Sequence, residues 1–322
     1  MLNLKTRLHN ITLFQKLVDK SKVWVLPGFE GLPLYDVLTF FFRETKSKSL
    51  ADRAAAISFN FLLAIPPFFI FLFTLVPFIP MKNVEPTLYR LAQDVTPNYN
   101  TYMIVRNMIH DFLYTNRTGL LSIAFLMAFF YSSNGLMGIM RSFNKIQPGF
   151  IQRKWWQTRL LALQLTAVLV FLLLITVVLI IAQGTVLRYI FNLLDVESEF
   201  VRKSVQLVRW LLIIMLFFSM LAVIYRFAPA TEKKWKFINA GSTFATILMI
   251  LVTLGFSFFV NNFVNYNQIY GSIGTILILM LFIYFNSFIL LIGFELNASI
   301  STLKEIAASR MEDEPIEVQG LS

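Results

Sequence analysis

Between Lys236 and Glu295 the chain runs for 58 residues without one Asp, Glu, Lys, Arg or His. A hydrocarbon core takes about 20 mostly apolar residues per helical crossing, so the run holds two crossings and their connection. Lipid is its solvent, and lipid requires every backbone polar group to be satisfied inside the segment, which a helix does. The run ends on one carboxylate, Glu295, which needs a physical reason to stand there.

Four more segments fit the same rule. The six expected spans cover about 54–79, 118–140, 160–184, 210–225, 237–260 and 275–296. The expected fold class is therefore all-α, a polytopic membrane protein with six transmembrane helices. With 57% hydrophobic residues and 34 Phe among 322, the composition lies far from that of an ordinary soluble chain. No apolar run in the first 50 residues is followed by a small-residue cleavage site, so the first span is expected to act as the insertion signal.

The net charge of +10 could suit nucleic acid, but the placement of the cations favours a topology signal. With both termini inside, 20 Lys and Arg fall in cytoplasmic segments and 8 outside. The positive-inside rule then puts both ends in the cytoplasm. The stretch Arg141–Arg159 holds five cations, two Trp and no acid, and reads as contact with anionic lipid headgroups rather than RNA. The expected partners are membrane lipids and an anionic amphipathic substrate, without nucleic acid, and a homo-oligomer is compatible with the sequence.

Flanking segments complete the organisation. Residues 1–53 contain LKTRLHNITLFQKLVDK and PLYDVLTFFFRETKSK, which read as amphipathic helices on the inner leaflet. Residues 81–117 read as an outer segment of two short amphipathic helices between spans 1 and 2. The membrane domain is taken as 54–302, followed by an acidic, disordered tail at 303–322. Pro66 and Pro67 should break or kink span 1. The uncharged stretch NNFVNYNQIYGSIG, with Gly271 and Gly274 allowing a tight return, serves equally well as a gate or a turn.

Several motifs together carry a family resemblance. KKWK leads in to NAGS at the start of a helix, YGSIG follows span 5, and LIGFELNA closes span 6; SLADRAAAISFNFLLAIPPFFIFLFTLVP and RKWWQTRLLAL precede them. In these parts, from about residue 45 to 302, the chain resembles the YihY/BrkB family of bacterial inner-membrane proteins. The resemblance implies six membrane helices and cytoplasmic termini. Members have carried the label ribonuclease BN or links to virulence and serum resistance, which name phenotypes rather than chemistry.

An enzyme is not expected. Phosphodiester hydrolysis needs clustered metal ligands or an acid and base pair, whereas this chain has no Cys and only His9 and His110. No metal or cofactor is expected either. The candidate pathway or substrate-binding residues are Asn134, Arg141, Arg226, Asn286, Glu295 and Asn297. From Thr275, 20 helical steps cover about 30 Å, which puts Glu295 near the cytoplasmic border of the hydrocarbon. There it reads either as a partly solvated partner of Arg141, Lys145 or Arg226, or as a proton or substrate site.

At 100° per residue Glu295 shares a face with Tyr284 and Ser299, while Asn286, Gly293 and Asn297 fall opposite. Span 6 should therefore pack on both sides. Tyr131, Asn134, Gly138 and Arg141 form a stripe on span 2, and Ser242, Thr246, Thr253 and Ser257 a looser one on span 5. Such stripes serve as helix-packing contacts or as a pathway. A transport role is expected first, and a non-transporting scaffold second.

The charge distribution makes a topological prediction. Single cysteines at Asn100 and Asn265 should react with an impermeant thiol reagent applied to intact cells, and cysteines at Phe150 and Glu232 should not. Labelling at Phe150 would reverse the orientation.

Overall fold

A computed structural model describes Gln15 and residues 18–46, 50–75, 84–95, 99–114, 118–144, 149–193, 199–262 and 265–313. Among these the chain is helical apart from connections and one isolated antiparallel bridge, Phe150 to Thr231. The helices are α1 Leu34–Lys46, α2 Leu50–Leu75, α3 Val84–Val95, α4 Tyr99–Tyr114, α5 Thr118–Ser132, α6 Asn134–Phe143, α7 Trp155–Leu193, α8 Glu199–Phe227, α9 Ala240–Asn262 and α10 Asn265–Asp313.

The protein is an all-α polytopic membrane protein. Among the described residues four helices are long and apolar enough to cross a membrane: Trp155–Val178, Trp210–Phe227, Ala240–Phe259 and Ile276–Ser309. Helix α2 and the pair α5 and α6 occupy the other two expected spans. Their packing closes a ring: α2 against α5 and α6, these against α7, α7 against α8, α8 against α9, α9 against α10, and α10 back against α2. Helices α3 and α4 pack on each other between the first two expected spans, and α1 lies along α10.

Three local outcomes differ from the sequence reading. Helix α2 continues through Pro66 and Pro67 rather than ending there. Two missing donors free the carbonyls of Leu62 and Leu63, but packing on α5, α6 and α10 carries the helix across. Span 2 is divided into α5 and α6 at Ser133, which keeps right-handed helical dihedrals (φ −68°, ψ −7°) and whose amide and carbonyl continue the helical bonding to Phe129 and Met137. Ser132 and Ser133 turn their hydroxyls back onto the Phe129 and Phe130 carbonyls, which bends helices. Gly271 and Gly274 lie inside α10, not in a turn, and α10 extends to Asp313, so the first part of the expected tail is helical. Single glycines cost a helix only about 1 kcal/mol each, which the long apolar helix around them outweighs. Most of LKTRLHNITLFQKLVDK and residues 314–322 lie outside the described residues.

The ring is tightest where α9 crosses α10. A Cβ on Gly241 would collide with the Gly293 carbonyl and with the Asn297 side chain, and one on Gly293 would meet the Tyr225 hydroxyl and the Ala245 methyl. Glycine on both helices lets the two backbones approach. Beside the crossing, Phe143 stacks on Phe294 at 4.1 Å between ring centres, and Tyr225 donates to the Leu290 carbonyl at 2.9 Å. Residues from α2, α6, α7, α8, α9 and α10 share this buried core.

Gly241→Ala should therefore destabilise the protein by about 2 kcal/mol through overpacking. Gly255→Ala, whose Cβ meets nothing within 4 Å, should be neutral or stabilising by about 1 kcal/mol, as a helical Gly→Ala exchange is. Thermal unfolding in detergent compares the two; equal shifts would refute the close crossing.

Candidate functional site

The uncharged run ends inside the protein, not at its surface. Glu295 is 1% exposed. Arg53, in the first turn of α2, donates Nη1 to Glu295 Oε1 at 2.6 Å and both Nε and Nη2 to the Ser142 carbonyl near the end of α6. One guanidinium thus holds a carboxylate of α10 and an end carbonyl of α6 from the start of α2. Its planar fork suits two acceptors at once.

The partners expected for Glu295 need correction. Arg141 is exposed, and Arg226 donates to the Trp235 carbonyl at 3.2 Å and lies over the Phe227 ring. Lys145 lies outside the described residues. Glu295 itself is buried, because α10 continues well past it and α1, α2 and α6 pack around its extension, while the Arg53 side chain keeps 21% of its surface exposed.

The opposite face of α10 is committed as well. Asn297 accepts from the Gly241 amide at 2.7 Å and donates to Asn239 Oδ1 at 2.7 Å. Asn239 itself accepts from the Ser242 amide at 2.8 Å, an N-cap for α9. Asn297 therefore ties the α9 N-terminus to α10 instead of lining open space. Asn286 turns its amide back to the Phe282 carbonyl of its own helix at 2.8 Å. Ser242 and Thr246 are buried and bonded locally, whereas Thr253 and Ser257 are exposed. The span 2 stripe does not survive the division at Ser133: Tyr131 and Arg141 are exposed, and Gly138 is buried against Asn60.

Asn134 leads to a residue not singled out from the sequence. Its Oδ1 accepts from Arg159 Nη1 at 2.8 Å, while Arg159 Nη2 donates to the Phe130 carbonyl at 2.6 Å. The guanidinium lies 3.5 Å from the centre of the Phe130 ring. Arg159 is 8% exposed, no carboxylate pairs with it among the described residues, and its Nε is buried without a hydrogen-bond partner there. The Arg141 charge acts on it as an additional repulsion.

Inside the ring, next to this group, lies a cavity of about 380 Å³ lined by α2, α5, α6, α7 and α8. Phe61, Phe68, Leu169, Leu173, Phe217 and Leu221 give its walls their character. The two hydroxyls facing it, Ser132 and Thr166, bond to carbonyls of their own helices. The cavity therefore presents hydrocarbon rather than polar contacts. None of Arg141, Arg226, Asn286, Glu295 and Asn297 lines it, and Asn134 stands beside its lining residue Gly135.

A second arginine shows what a purely structural role looks like. Arg153 donates to the carbonyls of Phe227, Ala228 and Pro229 and so closes the end of α8. Burial lowers its pKa from the ordinary guanidinium value. No group of three or more His, Asp or Glu side chains suited to a metal occurs among the described residues.

Comparison with known proteins places the chain among families of membrane proteins. The family described as Virulence factor BrkB matches residues 41–316. The putative ribonuclease-like protein YfkH of Bacillus subtilis is 30% identical over 258 residues, covering 79% of this chain and 91% of that protein. The UPF0761 membrane protein PSHAa0171 of Pseudoalteromonas translucida is 37% identical over 79 residues, 24% of this chain and 26% of its own length. The UPF0761 membrane protein XAC0937 of Xanthomonas axonopodis is 32% identical over 104 residues, 32% of this chain and 25% of its own length. No solved structure matches the chain.

The buried pair predicts a large penalty for breaking it from either side. Arg53→Ala should cost about 3–5 kcal/mol and Glu295→Gln about 3 kcal/mol, against less than about 1 kcal/mol for an exposed pair. Unfolding of the purified variants measures this. A loss below about 1 kcal/mol in both would mean that the pair is solvated.

Proposed function

The chain belongs to the BrkB family of membrane proteins, and from that premise we propose that it moves an amphipathic anionic molecule in or across the bacterial cytoplasmic membrane, with both termini cytoplasmic. The observation that carries this reading is the hydrocarbon-lined cavity, together with the buried Arg159, which does not line it but is bonded to Asn134, the neighbour of lining residue Gly135. A small polar substrate would need polar groups along its route. Asn286, Glu295 and Asn297 of α10 and Ser242 and Thr246 of α9 are bonded within the protein, and none of them lines the cavity, so the reading narrows to a substrate with an apolar part.

That engagement also favours a second reading, a non-transporting scaffold. Asn297, Asn239 and Gly241 form a closed set of hydrogen bonds, as expected where polar residues serve helix association. The name of the YfkH relative raises a third, ribonuclease activity. We read the chain as no enzyme, because its two histidines stand far apart in sequence and it has no cysteine nucleophile.

Proteoliposomes separate the three. With purified protein, a headgroup-labelled phosphatidylglycerol should redistribute between leaflets faster than in protein-free vesicles, read as the fraction quenched by an impermeant reductant. Equal rates with folded protein would support the scaffold. Cleavage of tRNA that a point mutation in the chain abolishes would support the enzyme.

A further inference from the structure

Arg159 combines features that structure alone leaves unresolved. It is a permanent cation, nine-tenths buried, without a carboxylate partner among the described residues, and its Nε is unbonded there. Burying a charge in this state is expensive unless an anion meets it. Asn134, Phe130 and the Phe130 ring fix the guanidinium plane but supply no negative charge. A cation set only for structure would look like Arg153, whose donors end on the three carbonyls of one helix end.

The cavity supplies the other half. Helix α7 begins at Trp155 with Trp155 and Trp156 exposed, as interfacial residues are. Arg159 follows one turn later, and the cavity-lining residues Thr166–Leu173 lie about 10–21 Å farther along the helix axis. Half of a hydrocarbon core is about 15 Å, so an acyl chain whose anion sits at Arg159 reaches the near end of the cavity within one leaflet and its far end, at Leu173, only past the midplane. Both hydroxyls facing the cavity are already bonded, which leaves a hydrocarbon chain as the occupant that matches the walls.

We propose that Arg159 is the phosphate-binding residue of an anionic glycerophospholipid site, with Asn134 orienting its guanidinium and one acyl chain lying in the cavity between α2, α6, α7 and α8. This deepens the amphiphile-moving reading and rests on it for the role of the bound lipid, but binding is separable from movement. Basic pockets between membrane helices recognise anionic lipid headgroups through charge and hydrogen bonding.

The test titrates delipidated full-length protein in neutral detergent with palmitoyl-oleoyl phosphatidylglycerol, phosphatidylcholine or inorganic phosphate, and counts bound lipid by native mass spectrometry. Wild type should bind phosphatidylglycerol about tenfold more tightly than phosphatidylcholine, as one charge-assisted contact gives. Arg159→Gln should abolish the preference while leaving residual binding. Leu169→Trp, which narrows the cavity and leaves Arg159 in place, should weaken the phospholipid and leave inorganic phosphate unchanged. If Arg159→Gln does not fold, the wild-type preference and the Leu169→Trp result decide.

Equal binding of the two lipids overturns the proposal, as does competition by inorganic phosphate together with no effect of Leu169→Trp, which would mark an anion site without a lipid. Arg159-dependent binding without leaflet exchange in vesicles would retain the site and reject the movement reading. Exchange unaffected by Arg159→Gln would reject the site and retain movement.

Discussion

A carboxylate buried at the end of a long uncharged run needs a cation against it, and Arg53, whose side chain is 21% exposed, supplies it. Outside water the Coulomb term between such groups is strong and the cost of separating them is stronger. The pair therefore sets the register of α10 against α2, and the Ser142 carbonyl brings the end of α6 into the same contact. The neighbouring core follows from that register: Phe143 of α6 meets Phe294 of α10 face to face, and Tyr225 of α8 stacks on Phe143. On the far side of α10, the glycines at 241 and 293 make the close approach and Asn297 holds its end.

Once these contacts are made, few polar groups in the ring are free to meet a substrate. The buried charge at Glu295 serves cohesion, Asn297 caps a helix, and Asn286 returns to its own backbone. What the packing leaves open lies among α2, α6, α7 and α8: an apolar cavity, with the buried Arg159 bonded to Asn134 beside its lining residue Gly135. A bundle of this kind can hold hydrocarbon in its interior at little cost, whereas a hydrated solute would find no partners along the walls.

The helices were legible because hydropathy and length are local properties. The two-sided character of α10 was legible for the same reason: a period of 3.6 placed Glu295 and Asn297 on different faces, and the structure puts α2 and α9 there. The division at Ser133 was not, since Ser132 and Ser133 bend a helix through hydroxyl bonds that leave no mark on hydropathy. Nor was Arg53 legible as the partner of Glu295: 242 positions separate them, and Arg141 and Arg226 stood nearer to the expected membrane border. The NAGS and LIGFELNA motifs were read as separate signatures, although Gly241, Gly293 and Asn297 form one contact. Arg159 was concealed among five cations read together as a topology signal; its lone position one turn inside a span, ahead of an apolar run, was the available cue.

A double-mutant cycle on Arg53 and Glu295 tests the central claim most directly. Arg53→Met, Glu295→Leu and the double variant would be unfolded reversibly in mixed micelles, with the coupling taken from the four stabilities. The buried pair predicts that the double variant recovers about 2 kcal/mol or more of the summed single losses, because removing both charges leaves neither unpaired. Additivity within about 0.5 kcal/mol would contradict it and mean that the two residues hold the bundle independently.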